Sequence, residues 1–308
     1  MELYFLGTGA GMPTRKRNVT SVALNLTAER GTLWLFDAGE GTQHQMLSSP
    51  LKPGKLEHVY ITHLHGDHLY GLPGLLSSRS YQGGESPLTV FGPPGIRRYL
   101  ETVLELSGTH LEYEVRIHEI EEGLLWADEQ FEVSALKLEH RIDSYGYRIR
   151  ELDTAGALDS AKLAADKVPP GPLYAKLKNG ETVTLPDGRT IRGADYVGAP
   201  ICGRTVAIFG DTRPCPNELE LARDCDVIVH EATYMHERVD NAMKYYHSTA
   251  TQAANVALQA NARTLIMTHL SSRYQDENAH HLLEEARTIF PNSHVAEDFW
   301  SYAVPRRI

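Results

Sequence analysis

The sequence predicts a protein of the α/β class, in which strands and helices alternate along the chain. Short segments rich in β-branched and aromatic residues alternate with helical patterns, and histidines or acids directly follow several of the strands. A hydrophobic content of 42% and a charged content of 23% over 308 residues are typical of a globular protein with a large core. Active sites of α/β sheets form at the carboxyl ends of strands, so these residues are the first candidates for function.

The first half of the chain contains most of the predicted strands. They are 2–6, 22–26, 33–36, 56–62, 88–91, 113–120 and 131–138. Helices are expected up to Leu47, after the His-rich stretch that follows the fourth strand, and over 93–106, where prolines precede apolar residues at helical spacing.

Alternation of strands and helices resumes near residue 205. Strands are expected at 205–211, 226–230 and 263–268, with a closing strand from residue 294 on. A helix capped by Ser248 or Thr249 is expected to run to Ala262, and an amphipathic helix is expected over 278–290.

Residues 150–198 lack the alternating strand and helix pattern of the rest of the chain. Proline and glycine clusters interrupt the pattern, and seven basic residues balance seven acidic ones, so the rest of the chain carries the whole net charge of −10. We therefore expect one domain over residues 1–308, with 150–198 inserted as a projecting arm. This segment is either an exposed surface insertion without a binding role or an arm that binds a large anionic partner.

Composition also limits the compartment and the partners. No run of 18 apolar residues and no signal-peptide pattern is present, so we expect no membrane span. Three cysteines, an odd number without a C-x-x-C pair, favour a reduced cytoplasmic protein. The net charge of −10 argues against a surface coated with basic residues, but it allows nucleic acid to bind at a local basic patch or through cations.

The densest chemical signal is the run Thr62-His63-Leu64-His65-Gly66-Asp67-His68. His63 and His65 alternate and can project to one side of an extended chain, whereas Asp67 and His68 follow a glycine bend and can point elsewhere. Imidazole suits zinc, and carboxylate suits harder cations. The run is therefore either a solvated loop or a segment that binds two adjacent ions, and further candidate ligands favour the second.

Seven candidate ligands fall just after predicted strands. They are His63, His65, Asp67, His68, His140, Asp211 and His269. We assign His63, His65 and His140 to one ion. We assign Asp67, His68 and His269 to the other, with Asp211 as the bridge because a carboxylate offers two oxygens. A water shared by two such ions would lose a proton near neutral pH.

Two other segments leave alternatives open. Asp37 follows a strand and precedes a helix, so it either orients a metal ligand or caps that helix. The run of Arg15, Lys16 and Arg17 is either a solvated loop or a phosphate contact near the site.

These motifs together resemble the metallo-β-lactamase superfamily, whose signature H-x-H-x-D-H stands at 63–68, and within it the ribonuclease Z family. The second resemblance rests on the basic loop 13–18, the Gly171-Pro172 pair and the runs 230–233 and 247–249. It implies an αββα sandwich of two mixed sheets with helices outside, a flexible exosite arm at 150–198, and the seven ligands named above. It also implies a homodimer in which the arm of one subunit clamps tRNA that the other cleaves.

The activity that the resemblance implies is an endoribonuclease that removes the 3′ trailer from precursor tRNA, leaving a 3′-hydroxyl on the tRNA and a 5′-phosphate on the trailer. Two divalent ions per subunit are expected, with Zn²⁺ as the first choice and Mn²⁺ or Co²⁺ as alternatives. Asp67 is expected to bind metal and to accept the proton of the attacking water. His247 is expected to protonate the leaving oxygen and Glu231 to orient it, unless His247 only packs at the start of its helix.

RNA contacts are expected at the basic loop and on the arm. The candidates are Arg15, Lys16, Arg17, Gly171, Pro172 and Lys176. Such contacts would be made to backbone and shape, without base readout.

Other functions would share part of this pattern. A hydrolase of thioesters, lactams or small phosphodiesters would share the metals without needing the arm, and a 3′-exoribonuclease would share the substrate. A binuclear iron oxidoreductase of this fold would carry an acid at position 65 and an additional flavin domain. An RNA-binding module without activity gives no reason to assemble seven ligands.

Overall fold

The computed structural model describes residues 1–274 and 278–307, which form two compact units. The larger unit comprises Met1–Ala127, Glu132–Ile149 and Thr205–Pro305, and the smaller comprises Asp128–Phe131, Arg150–Arg204, Arg306 and Arg307. Among the described residues, none of the helices has the length and apolar character needed to cross a membrane.

The first part of the larger unit alternates strands with helices, as the sequence predicts. Its strands are β1 (Glu2–Gly7), β2 (Ser21–Leu26), β3 (Thr32–Phe36), β4 (Leu56–Tyr60), β5 (Leu88–Gly92) and β6 (Val115–Glu119). Its helices are α1 (Thr42–Leu47), α2 (Gly66–Leu69), α3 (Leu72–Tyr81) and α4 (Ile96–Leu106).

The middle of the chain adds three strands and then the elements of the smaller unit. The strands are β7 (Gly123–Ala127), β8 (Phe131–Leu138) and β9 (Ser144–Glu151). They are followed by α5 (Ser160–Ala165), α6 (Leu173–Lys178), β10 (Thr182–Thr184) and β11 (Thr190–Arg192).

The last part of the chain returns to the larger unit. Its strands are β12 (Thr205–Ile208), β13 (Val227–Glu231), β14 (Leu265–Thr268), β15 (Ser293–Val295) and β16 (Ser301–Ala303). Its helices are α7 (Pro216–Ala222), α8 (Val239–Tyr245), α9 (Ala250–Gln259) and α10 (Asn278–Arg287).

The two large sheets are mixed, with strand orders β16-β1-β2-β3-β4-β5-β6 and β15-β14-β13-β12-β9-β8-β7. Strands β3 to β6 and β12 to β15 pair in parallel, whereas β1 with β2 and β7 with β8 pair antiparallel. Between the sheets, Tyr60 of β4 stacks on Phe36 and lies 5.2 Å from the ring of Tyr147 of β9. Leucine- and alanine-rich faces of the helices bury against the outer faces. This αββα sandwich confirms the predicted fold class.

Most element boundaries agree with the sequence, and the differences have local causes. Strand β4 ends at Tyr60, so His63 lies in the turn after it. Helix α4 begins at Ile96 because Gly95 adopts a φ of 104°, which leaves both prolines outside the helix. Thr249 caps α9 by accepting from the N–H of Gln252 at 3.2 Å, which confirms one of the two predicted caps.

Two strands of the second sheet, β7 and β9, were not predicted. β9 reads as polar because Arg148 and Arg150 interrupt its apolar residues. Arg148 is nevertheless accommodated, since its guanidinium donates to the carbonyl of Leu221 at 2.6 Å.

The smaller unit has a core of its own. Its buried side chains are Leu163, Val168, Leu177, Val183, Leu185 and Ile191. At its base Thr154 and Ile201 exchange backbone hydrogen bonds of 3.0 and 2.9 Å, and Arg204 makes a buried pair with Glu151 at 2.7 Å. The segment predicted as an insertion is thus folded, and its role as an arm stays a prediction.

Candidate metal centre

Strand ends and turns of both sheets bring the seven candidate ligands together in the larger unit. His63 and His65 follow β4, Asp67 and His68 lie in α2, and His140 follows β8. Asp211 and His269 follow the parallel strands β12 and β14. The ligands thus collect at one edge of the sandwich because successive parallel strands end there.

The first group contains His63, His65 and His140. The Nδ1 atom of His65 lies 3.0 Å from Nε2 of His63 and 3.2 Å from Nε2 of His140. Ligands at 2.0–2.1 Å from a tetrahedral zinc are about 3.3 Å apart. The spacing of these three nitrogens therefore fits one cation.

The second group contains Asp67, His68 and His269. The Oδ2 atom of Asp67 lies 3.5 Å from Nε2 of His68 and 3.4 Å from Nε2 of His269. The Nε2 atom of His68 is buried and makes no hydrogen bond within the described residues, so a cation would satisfy it.

Asp211 lies between the two groups. Its Oδ2 is 3.7 Å from Nε2 of His63 and 3.3 Å from Nε2 of His269, and its Oδ1 is 3.5 Å from Nε2 of His68. A carboxylate that faces both groups is placed to bridge two ions. The structure therefore brings the seven candidate ligands together in the two groups assigned from the sequence, and their binding of two cations stays a prediction.

Four imidazoles are oriented through their second ring nitrogen. Nδ1 of His68 lies 2.7 Å from Oδ2 of Asp37, and Nδ1 of His140 lies 2.8 Å from the carbonyl oxygen of Tyr246. Nδ1 of His63 and of His269 contact threonine hydroxyls at 3.0 and 2.9 Å. These contacts leave Nε2 of each ring for a cation.

Asp37 also accepts from the N–H and hydroxyl of Thr62 at 2.7 and 2.8 Å. It makes no cap to α1, whose preceding residue Gly41 has no side-chain bond either. Of the two functions left open for Asp37, the structure supports the one that orients a ligand.

Burial and neighbouring charges set the protonation of this cluster. Burial lowers the pKa of His63 and of His65. Burial would raise the pKa of Asp211, but the adjacent His269, His68 and His63 lower it well below its usual value. Burial would lower the pKa of His68, but Asp211, Asp67 and Asp37 raise it well above its usual value. His63 and His65 are therefore neutral and ready to bind a metal, whereas His68 would release a proton when a cation binds.

His247 lies beside the cluster and is held by Glu231. Its Nδ1 is 2.9 Å from Oε1 of the buried Glu231, which also accepts from the N–H groups of Thr212 and Thr233. Burial would lower the pKa of His247, but the charge and hydrogen bond of Glu231 raise it to about 9. In the metal-free protein the ring is therefore protonated at neutral pH.

Five of the candidate ligands line a cavity of about 470 Å³ together with His247, namely His65, Asp67, His140, Asp211 and His269. Three arginines, Arg141, Arg238 and Arg273, also line it and were not identified from the sequence. The guanidinium of Arg141 lies 5.2 Å from the ring centre of Tyr245. Arg141 directly follows a candidate ligand, and this adjacency is the signal that could have revealed it.

The residues predicted to contact RNA divide into three groups. Arg15 and Lys16 are exposed. Arg17 is only 8% exposed and donates to the hydroxyl of Thr8 and the carbonyl of Ala296, both at 2.6 Å, which corrects the expectation that it contacts phosphate. Gly171, Pro172 and Lys176 are exposed in the smaller unit, and their contacts with RNA stay predictions.

Comparison with known proteins gives matches over the whole chain. A family model described as Anti-Pycsar protein Apyc1 matches residues 1–161. Ribonuclease Z of Bacillus licheniformis is 57% identical over 306 residues, covering 99% of this chain and 100% of the relative. Ribonuclease Z of Bacillus subtilis is 54% identical with the same coverage of both chains.

Solved structures give the same picture. The crystal structure of the short form of human tRNase Z has a TM-score of 0.72 and 30% identity, covering 99% of this chain and 100% of that one. The metallo-β-lactamase fold protein YhfI of Bacillus subtilis has a TM-score of 0.68 at 17% identity, with 98% and 99% coverage, and supports the fold alone.

Proposed function

The chain belongs to the ribonuclease Z family and, over residues 1–161, to the family described as Anti-Pycsar protein Apyc1, and we propose that it removes the 3′ trailer from precursor tRNA. The observation that carries the proposal is the convergence of seven candidate ligand side chains beside the His247–Glu231 pair. Relatives named ribonuclease Z, matched over their full length, support the substrate and the endonucleolytic reaction.

Two divalent cations would occupy the two ligand groups. His63, His65 and His140 would hold one, Asp67, His68 and His269 the other, and Asp211 would contact both. The excess of imidazole over carboxylate favours Zn²⁺, with Mn²⁺ or Co²⁺ as alternatives. When bound, two such ions neutralise phosphoryl oxygens and acidify water.

Asp67 acts on the water molecule that attacks phosphorus. Although burial would raise its pKa, the adjacent His68 and His269 lower it, so the carboxylate is ionised. An ionised carboxylate accepts hydrogen bonds, so Asp67 can orient the attacking water, and we propose that it also accepts the proton of that water. The new bond joins the water oxygen to phosphorus, in line with the 3′-oxygen that leaves.

His247 serves the departure of the 3′-oxygen. Its Nδ1 is engaged by Glu231, so Nε2 is the nitrogen that donates a proton to the leaving oxygen. The products are a tRNA with a 3′-hydroxyl and a trailer with a 5′-phosphate. Glu231 orients the ring and keeps it protonated.

The assembly and the compartment are parts of the same proposal. We infer a homodimer in which Gly171, Pro172 and Lys176 of one subunit's smaller unit contact the tRNA cleaved by the other. Arg15 and Lys16 contact phosphates beside the cleavage site. Three free thiols, Cys202, Cys215 and Cys225, support a reducing compartment, the cytoplasm.

Cleavage of one labelled precursor tRNA by the metal-loaded protein tests this function. We expect a single cut that releases an intact trailer. His247→Ala lowers kcat by about 10²- to 10⁴-fold. Glu231→Gln moves the alkaline limb of the pH–rate profile to lower pH, because the carboxylate raises the pKa of His247.

His44→Ala, in an exposed position on α1, is the control and keeps wild-type kinetics. Wild-type cleavage by His247→Ala or Asp67→Ala would contradict the role of that residue. Stepwise shortening of the trailer from its 3′ end would identify an exoribonuclease instead.

A further inference from the structure

The loop between β1 and β2, which includes the basic segment 13–18, contacts the candidate ligand Asp67 through the backbone of Gly11. The N–H of Gly11 donates to Oδ2 of Asp67 at 2.8 Å. This is the same oxygen that lies 3.5 Å from His68 and 3.4 Å from His269. Gly11 adopts a φ of 71°, a left-handed conformation that favours glycine. The loop thus helps to fix the carboxylate that we assign to metal and proton transfer.

A polar network, which we call the brace, holds the base of this loop. It consists of the buried Thr8 and Arg17 and the half-buried Asp298. The hydroxyl of Thr8 accepts from Nη1 of Arg17 at 2.6 Å and donates to Oδ1 of Asp298 at 2.7 Å. The Oδ2 of Asp298 accepts from the N–H of Asn18 at 2.7 Å. The brace therefore joins both ends of the loop to the segment that precedes β16.

Backbone hydrogen bonds also join the two ends of this loop to each other and to the residue that follows His269. The N–H groups of Thr8 and Gly9 donate to the carbonyl of Asn18 at 3.0 and 2.8 Å. The N–H of Ala10 donates to the carbonyl of Leu270 at 3.0 Å, and Leu270 directly follows His269. A shift of the loop base would therefore move Gly11 relative to both Asp67 and His269.

We propose that the brace of Thr8, Arg17 and Asp298 positions Asp67 through Gly11, so that Arg17 acts on metal retention and turnover and not on the affinity for tRNA. Arg17 is 8% exposed and its guanidinium donates inside the protein, whereas Arg15 and Lys16 at the tip of the same loop are exposed. One loop thus combines an internal support with an RNA-facing tip. This inference rests on the proposed function for its kinetic part only.

The test compares changes in the brace with a change at the tip of the loop. Arg17→Met and Thr8→Val remove members of the brace, and Arg15→Met removes a tip charge. Each full-length protein is loaded with Zn²⁺, dialysed against a graded chelator and measured for metal content. Circular dichroism checks that the apo and loaded proteins are folded.

We expect Arg17→Met and Thr8→Val to bind Zn²⁺ about 10- to 100-fold more weakly, as for loss of a contact that orients a ligand. Their kcat falls on precursor tRNA and on a small phosphodiester, while KM for tRNA changes less than about twofold. Arg17→Lys, which keeps the charge but not the forked guanidinium, restores only part of the metal affinity. Arg15→Met raises KM for tRNA and retains wild-type metal affinity.

Wild-type metal retention by Thr8→Val, or a raised KM with normal metal retention for Arg17→Met, overturns the proposal. If Arg17→Met does not fold, the smaller change Thr8→Val decides, since Val has nearly the shape of Thr without its hydroxyl. If the wild-type protein leaves precursor tRNA uncut, the proposed function fails, but metal retention still decides the role of the brace.

Discussion

Asp37 is not a candidate ligand, but its carboxylate orients the ring of the candidate ligand His68. It adopts a φ of 58°, and its Oδ2 lies 2.7 Å from Nδ1 of His68. Asp37 accepts at both oxygens, from the N–H of Thr62 at Oδ1 and from His68 and the Thr62 hydroxyl at Oδ2. Asn tolerates the same backbone conformation but has only one acceptor oxygen, so one of these contacts is lost. We expect Asp37→Asn to lower metal affinity about 10- to 100-fold, measured by chelator competition, while the protein stays folded.

Asp224→Asn is a matched control for this change. Asp224 also has a positive φ, of 53°, but it is exposed and accepts a hydrogen bond from Asn261, so its substitution leaves metal affinity unchanged. Equal metal affinity of Asp37→Asn and the wild type would show that His68 needs no carboxylate partner.

The positions of the candidate ligands could be predicted from the sequence, whereas the groups that contact their second ring nitrogens could not. A ligand such as Asp211 or His269 is identified by its position after a strand, which is a local property. The partner of His140 is the backbone carbonyl of Tyr246, 106 residues away, and any residue type supplies a carbonyl. The burial of Arg17 likewise depends on Asp298 and Ala296, at the other end of the chain.

At the scale of elements, strands with a clear apolar pattern were predicted and mixed ones were not. β12 and β14 are buried along their whole length and read as apolar runs. β9 contains two arginines and a glycine, so its pattern is not that of an apolar strand. The glycine, Gly146, is required by close packing, because a Cβ atom there would lie only 2.5 Å from a methyl group of Leu221. Its polar residues are accommodated by specific long-range partners, which a local pattern does not reveal.

The smaller unit can be removed at its base. Thr154 and Ile201 are paired, so replacing residues 155–200 by an Asn-Gly turn closes the chain without breaking the pair of Glu151 and Arg204. We expect this variant to hydrolyse a small phosphodiester within about twofold of the wild-type rate, because the ligands lie in the larger unit. Its kcat/KM on precursor tRNA falls at least ~100-fold, since several phosphate contacts are lost.

The matched control replaces only Lys176 by Ala and keeps the core of the smaller unit, so it loses a single contact. Loss of both activities by the shortened variant, with an altered circular dichroism spectrum, would mean that the smaller unit is needed for folding. Normal processing of tRNA would contradict its proposed role in binding.

At the scale of the whole molecule, a net charge of −10 has to be reconciled with an anionic substrate. Arg141, Arg238 and Arg273 line the cavity, and two divalent cations would add four positive charges there. The residues 150–198 are neutral overall and expose several lysines. Positive charge is therefore concentrated at the cavity and on the lysines of residues 150–198. Composition gives only the net charge of the chain and does not reveal this distribution.

This distribution predicts a strong dependence of tRNA affinity on salt. With about four phosphate contacts the slope of log K against log salt is about −3, so affinity falls ~60-fold from 50 to 200 mM salt. Lys176→Ala makes this slope shallower by about 1, because one counterion-releasing contact is lost. Lys55→Ala is the control, since Lys55 precedes β4 whereas the ligands follow it, and it leaves the slope unchanged. A flat dependence for the wild type, or equal slopes for wild type and Lys176→Ala, would exclude phosphate binding by this part of the chain.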